Sequence, residues 1–269
     1  MFATVLVPVL VLGAVLVGCS APSATCDAEA VGQESGPVGS IYRVENGELG
    51  PRCFGRQDET VEAAWRTLAE VAPPEVLGDV ELFAGFETNA ETLAFSGPIG
   101  EDNTRFAVAV DTRSVGSDAE ELRLTLVHEL AHVLAQTEDQ LDTEQPAGRC
   151  ETLWNGLGCF RPGSYLSGWI ERFWSDEALA TLPEDGAIDE EAGVERCLLD
   201  PTLVGSYAGS HPEEDFAETF AAWVFSVEVN EAVESKFEYL AQFPELVSVR
   251  DRARAAGLSD LENTFDRCG

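Results

Sequence analysis

Apolar positions in this chain fall into short periodic runs separated by polar, Gly- and Pro-rich stretches, and the periods predict the elements. Thr60, Val61, Ala64, Trp65, Leu68 and Val71 recur at helical spacing, and Pro73-Pro74 must end that helix. Val80 to Phe86 alternates loosely, as a strand does, and Arg105 to Val110 is the clearest strand, rich in β-branched and aromatic side chains before a turn-prone segment. Leu122, Leu126, Leu130, Val133 and Leu134 predict a second helix, with Ser117 or Asp118 as its cap and Glu120 and Glu121 in its first turn. Residues 137–163 are polar and carry Pro146, Gly148, Gly156, Gly158 and Pro162, which reads as a long surface loop. A helix is expected from Tyr165 to Trp174, and an acidic, turn-prone stretch over 183–205. Phe216, Phe220, Trp223, Val224 and Val227 place a further helix starting near Pro212, and Leu240, Phe243, Leu246, Val249 and Leu258 continue the helical spacing. The expected fold class is α+β, a small sheet packed on the helix around Leu130 with a mostly helical C-terminal half. No internal repeat, Gly-rich phosphate loop or G-x-S-x-G elbow is present in the sequence.

The first run differs from the rest. Residues 1–18 carry no charge, are almost wholly apolar from Val5 to Val17, and close on Leu16-Val17-Gly18-Cys19. A bilayer-spanning helix usually needs about 20 such residues, so the run reads as an export signal. Its positive n-region is missing, which leaves an uncleaved anchor, or a start further upstream, as the alternative. The closing quartet resembles a bacterial lipobox, and that resemblance implies lipidation of Cys19 and anchoring on the outer face of a cell membrane. The expected organisation is a signal over 1–18, a lipidated tether and entry segment over 19–55 rich in Ser, Ala, Gly and Pro, and one domain over 56–269.

Export changes how the other six cysteines read. An even number in an oxidising compartment predicts disulfides, with 15 connectivities open to three bonds. We expect Cys150 with Cys159 as local closure of the loop, Cys26 with Cys53, and Cys197 with Cys268. No pair has the C-x-x-C spacing of a structural zinc site. The formal charge is -33, from 49 acidic against 16 basic residues. Such a surface repels nucleic acid and anionic membrane, so no nucleic-acid partner is expected and any membrane attachment would have to come from the lipid rather than from surface charge. It either attracts cationic substrates or is simply a solvated acidic exterior.

The candidate chemistry lies at His128-Glu129-Leu130-Ala131-His132. Two histidines four apart on a helix point the same way, so both imidazoles reach one metal ion while Glu129 stands beside them. The bland alternative is two histidines on an ordinary amphipathic helix. A catalytic zinc needs a third protein ligand and an open position for water. Candidates cluster between Ser206 and Phe225: His211, Glu213, Glu214 and Asp215, with Glu218 on the same helical face as Glu214. The acids also suit the first turn of a helix capped by Ser210 or entered at Pro212. Nothing after His132 supplies the x-x-G-x-x-H continuation that a metzincin needs.

With these residues in place, the chain resembles zincin-like metallopeptidases. The run Glu214-Asp215-Phe216-Ala217-Glu218 resembles the Glu-aromatic-Phe-Ala-Glu helix of the anthrax lethal factor type of gluzincin, with Asp215 in place of the aromatic. The resemblance implies Zn2+ held by His128, His132 and Glu214, Glu129 as catalytic base, Tyr207 as donor to the reaction's oxyanion, and Glu218 as a supporting residue orienting a ligand. It covers about a tenth of the chain. It also implies a sheet-edge strand beside the active-site helix that pairs with an extended substrate, and Arg105 to Val110 is the candidate for it. The function implied is zinc-dependent hydrolysis of a peptide or protein substrate. The competing expectation is a non-catalytic cell-envelope lipoprotein that keeps such a fold as a binding module.

Overall fold

The computed structural model describes residues 26, 28–31, 36–88, 92–100, 104–115, 118–265 and 268. The signal-like segment 1–18 and Cys19 lie outside the described residues. In chain order the elements are α1 (Ala28–Val31), β1 (Val38–Glu45), β2 (Glu48–Gly55), α2 (Glu59–Val71), β3 (Val80–Phe86), β4 (Ala94–Ile99), β5 (Arg105–Asp111) and α3 (Ala119–Ala135). There follow β6 (Leu141–Asp142), β7 (Cys159–Phe160), α4 (Tyr165–Phe173), α5 (Asp176–Leu179), α6 (Glu190–Leu199), α7 (Pro212–Phe225), α8 (Glu234–Leu240) and α9 (Pro244–Ala255). The fold is mixed α+β, with helices making up most of the C-terminal half.

The five-stranded sheet has the order β2-β1-β3-β5-β4. β3 and β5 run parallel, while β1 is antiparallel to both its neighbours and β4 is antiparallel to β5. One face, through Phe83, Phe106, Val108 and Val110, packs on α2, α3 and α7 in the main core. The other, through Ile41, Leu82, Ala84, Phe86, Ala107 and Ala109, is covered near Val31, where Cys26 bonds Cys53. An inner strand covered on both faces has no need to alternate, which is why Arg105–Asp111 reads as a nearly unbroken apolar run.

Three expectations need revising. β5 is not an edge: it is bonded on one side to β3 and on the other to β4, so the edge beside α3 is β4. β4 was unreadable because Ser96, Gly97 and Pro98 interrupt its apolar pattern, and such residues are tolerated at an edge. The segment expected as tether and entry supplies β1 and β2, so the sheet begins before residue 55. The acidic stretch over 183–205 contains α6, capped by Asp189, whose side chain accepts the Ala192 N–H at 3.0 Å. Its buried face is Gly193 and Cys197 while Leu198 and Leu199 are exposed, so no apolar stripe announces it.

All three expected disulfides are present: Cys26–Cys53, Cys150–Cys159 and Cys197–Cys268. α3 starts where Asp118 accepts the N–H groups of Glu120 and Glu121 at 2.8 and 3.1 Å. α7 is buried along its whole length, a helix at the centre of the molecule. It begins at His211, which accepts the Glu213 N–H, and Pro212, and it ends at Ser226 in the left-handed region, φ 54°. No helix among the described residues is long and apolar enough to cross a membrane.

Candidate metal centre

α3 and α7 pack against each other, and the contact brings the two halves of the motif together. His128 and His132, one turn apart on α3, face Glu214 in the first turn of α7. Glu214 Oε2 lies 3.0 Å from His128 Nε2 and 3.3 Å from His132 Nε2, and the two Nε2 atoms are 3.1 Å apart. Among the described residues these three side chains form the one group of metal-ligand type whose donor atoms converge. A tetrahedral ion with ligand distances of about 2.0–2.1 Å would separate its donors by about 3.3 Å, and this triangle fits. Glu214 Oε2 is buried and, apart from its approach to the two imidazoles, has no hydrogen-bond partner. Two imidazoles and a carboxylate are a donor set that suits zinc.

Electrostatics point the same way. Burial works against charge on both Glu214 and His132. The nearby histidines nevertheless hold the Glu214 carboxyl well below the usual carboxylate range. Reciprocally Glu214, with Glu129 and Glu213 behind it, lifts His132 to about 10. The buried Glu214 carboxylate therefore favours a positive charge beside it, a proton on the imidazole or an ion in its place.

The three consecutive acids at the start of α7 point three ways, as a rotation of about 100° per residue requires. Glu213 Oε1 accepts from Gln136 Nε2 and Asn155 Nδ2, each at 3.0 Å, which ties α7 to the end of α3 and to the stapled loop. Glu214 faces the histidines. Asp215 turns away into the core, paired with Lys236 and fully buried. His211 uses Nδ1 as the helix cap, at 3.3 Å from the Glu213 N–H. Of the four candidates for the third position, only Glu214 meets the histidines.

Glu129 lines a cleft beside His128, where Ser96 Oγ on β4 donates to its Oε2 at 2.8 Å. The cleft encloses about 680 Å3, and His128, Glu129, Tyr207 and Glu218 all line it. The Tyr207 ring centroid is 6.0 Å from that of His128. Burial first, then the carboxylates of Glu214, Glu129, Glu218 and Glu190, push the Tyr207 phenol above its ordinary value, so it stays protonated and able to donate. Glu218 Oε2 accepts the Ala208 N–H at 2.9 Å, which fixes the backbone beside Tyr207. A larger hollow of about 980 Å3, between α6, the end of α7 and the C-terminal tail, has none of the convergent donors in its lining.

Sequence reasoning missed the supports. Ser96, Gln136 and Asn155 belong to no spacing pattern and become visible only when strand, loop and helix meet. One signal was available for Asp215: Lys236 is the sole lysine in the chain.

No protein-family model matches the chain, and no curated protein matches it. It is similar to the crystal structure of a protein from Bacteroides caccae provisionally named a zinc-binding metallo-peptidase. The two share 16% identity over 75% of this chain and 69% of that one, with a TM-score of 0.29. A superposition this loose says nothing about the chemistry of this chain.

Proposed function

We propose that the chain is a zinc-dependent metallopeptidase, carried to the outer face of a membrane and held there by lipid on Cys19. The observation that supports it most is the convergence of His128, His132 and Glu214, beside a cleft that His128 and a base, Glu129, line together. His128, His132 and Glu214 would hold the ion. When bound, zinc supplies a Lewis acid that polarises a peptide carbonyl and acidifies water. Glu129, kept in place by Ser96, takes the proton from the attacking water and passes it to the leaving amine. The protonated phenol of Tyr207 donates to the oxyanion that develops on the carbonyl, and Glu218 steadies the segment that carries it. The three convergent groups come from two packed helices, α3 and α7, rather than from loops.

The test joins metal content to activity. Purified protein should contain one zinc per chain and cleave denatured casein, with cleavage lost on chelation and restored by zinc. His128→Ala should lose both. Zinc-loaded protein that cleaves no peptide would instead favour the binding-module reading, against which the intact Glu129 beside both histidines now argues, since a pure binder has no use for a base. Anchoring is tested separately, by whether labelled palmitate enters the wild-type chain and not Cys19→Ala.

A further inference from the structure

Directly behind the third metal ligand sits a buried ion pair with an unusually complete set of partners. Asp215 and Lys236 both have no solvent exposure. Lys236 Nζ lies 2.6 and 2.8 Å from the two carboxylate oxygens of Asp215. The indole N–H groups of Trp169 and Trp174 donate to Oδ2 at 2.9 and 3.0 Å, and Thr219 Oγ1 donates to Oδ1 at 3.3 Å. The ammonium also stands 5.4 Å from the Trp169 ring centroid and 5.8 Å from that of Phe173. One carboxylate is thus gripped from α4 and its C-cap, from α8, and from the next turn of α7.

Stability alone is a poor reason for this arrangement. Taking two charges out of water costs several kcal/mol per ion, and an apolar pair of similar volume often serves a core equally well. What the pair fixes is position. Five polar contacts from three directions leave the first turn of α7 little freedom to rotate or slide. Glu214 is the adjacent residue, about 100° around the helix. A ligand must hold its place within about 0.5 Å to complete a metal site. On the opposite flank Glu213 is held by Gln136 and Asn155, so the ligand is braced from both sides.

We propose that the Asp215–Lys236 pair, with Trp169 and Trp174, is a positioning device for Glu214 that sets the affinity of the His128, His132 and Glu214 site for its ion. The inference rests on the zinc site proposed above. The measurement uses the full chain and three readouts: zinc affinity by competition with a chromophoric chelator, the visible spectrum of the Co2+-substituted protein, and the thermal midpoint without metal. Asp215→Asn/Lys236→Met removes both charges while keeping an acceptor for the indoles. It should melt close to the wild type, bind zinc about 10-fold or more weakly, and show an altered Co2+ spectrum, as loss of a supporting partner does elsewhere. A folded double variant with wild-type zinc affinity and an unchanged spectrum would overturn the inference and leave the metallopeptidase reading intact. If the double variant does not fold, Trp169→Phe/Trp174→Phe strips both indole donors from Asp215 and is judged by the same two outcomes. Wild-type protein that takes up neither zinc nor cobalt would overturn the site and this device together.

Discussion

Glu213, Glu214 and Asp215 are chemically almost alike, and their separate fates show how position decides role. Each is buried at a helix start, where the dipole favours anions. One ties down a loop, one faces two imidazoles and one closes an ion pair. Sequence could list them as rivals but could not choose from composition, because the choice lies in which element each one meets. Glu129 is easier, since its place between the two histidines is written in the motif. Glu129→Gln should keep the zinc and lose about 10²–10⁴-fold in kcat, the usual contribution of a positioned base. Full activity in that variant, measured on a peptide substrate alongside metal content, would end its assignment as base. Tyr207→Phe should lose about 10²–10³-fold in kcat with zinc retained, as removal of an oxyanion donor does. An unchanged kcat would mean the phenol only lines the cleft.

Between elements, the contact that carries least sequence signal is α6 against the loop that bears Tyr207. Gly193 and Gly209 let the two backbones touch: a Cβ on Gly193 would meet Ser206 O at 2.7 Å and Ser210 N at 2.8 Å, and one on Gly209 would meet Gly193 O at 2.3 Å. Arg196 then donates to the carbonyls of Gly209 and Ser210 at 2.6 and 3.4 Å, which draws the loop onto the helix. Gly193→Ala should destabilise the protein by about 1–3 kcal/mol in chemical denaturation through overpacking. It should also lower activity more than zinc content, because it displaces Tyr207 and leaves the histidines alone. A variant as stable as the wild type would show that the contact relaxes freely. The same logic divides what could be read in advance from what could not. α2, α3, α4 and α7 announced themselves because each buries a stripe of large apolar residues at helical period. α6 buries a glycine and a cysteine, and β4 exposes an interrupted face at the sheet edge, so neither has a periodic signal to read. Parity said that the six cysteines pair and short spacing favoured Cys150–Cys159, but the other two bonds were not fixed by any pattern, and nothing in sequence said that the tail ending at Cys268 runs beside the cleft.

That tail ties the molecule together. The Glu262 N–H donates to Glu120 Oε2 at 2.9 Å on α3, Asn263 Nδ2 donates to Glu228 O at 3.1 Å beyond α7, and Cys268 bonds Cys197 on α6. Thr264 and Phe265 between these anchors line the cleft. The bond closes a sequence separation of 71 residues, against 9 for Cys150–Cys159. Loop-closure entropy then assigns it about 4 kcal/mol against about 3 for the shorter loop. Cys197→Ser/Cys268→Ser should therefore lower the unfolding free energy more than Cys150→Ser/Cys159→Ser, and the reverse order in denaturant titrations would show that the tail is not held in the folded state as described. The acidic surface bears on encounter rather than on fold: with net charge -33, cationic peptides should be cleaved faster than acidic ones of equal length, and the advantage should shrink as salt rises. The central claim is that α3 and α7 close on one ion, and anomalous diffraction at the zinc edge from zinc-loaded crystals tests it most directly. One strong peak about 2.0–2.2 Å from both histidine Nε2 atoms and the Glu214 carboxylate is the predicted result. A peak on other residues, or zinc bound by the histidines with Glu214 turned away, would contradict it.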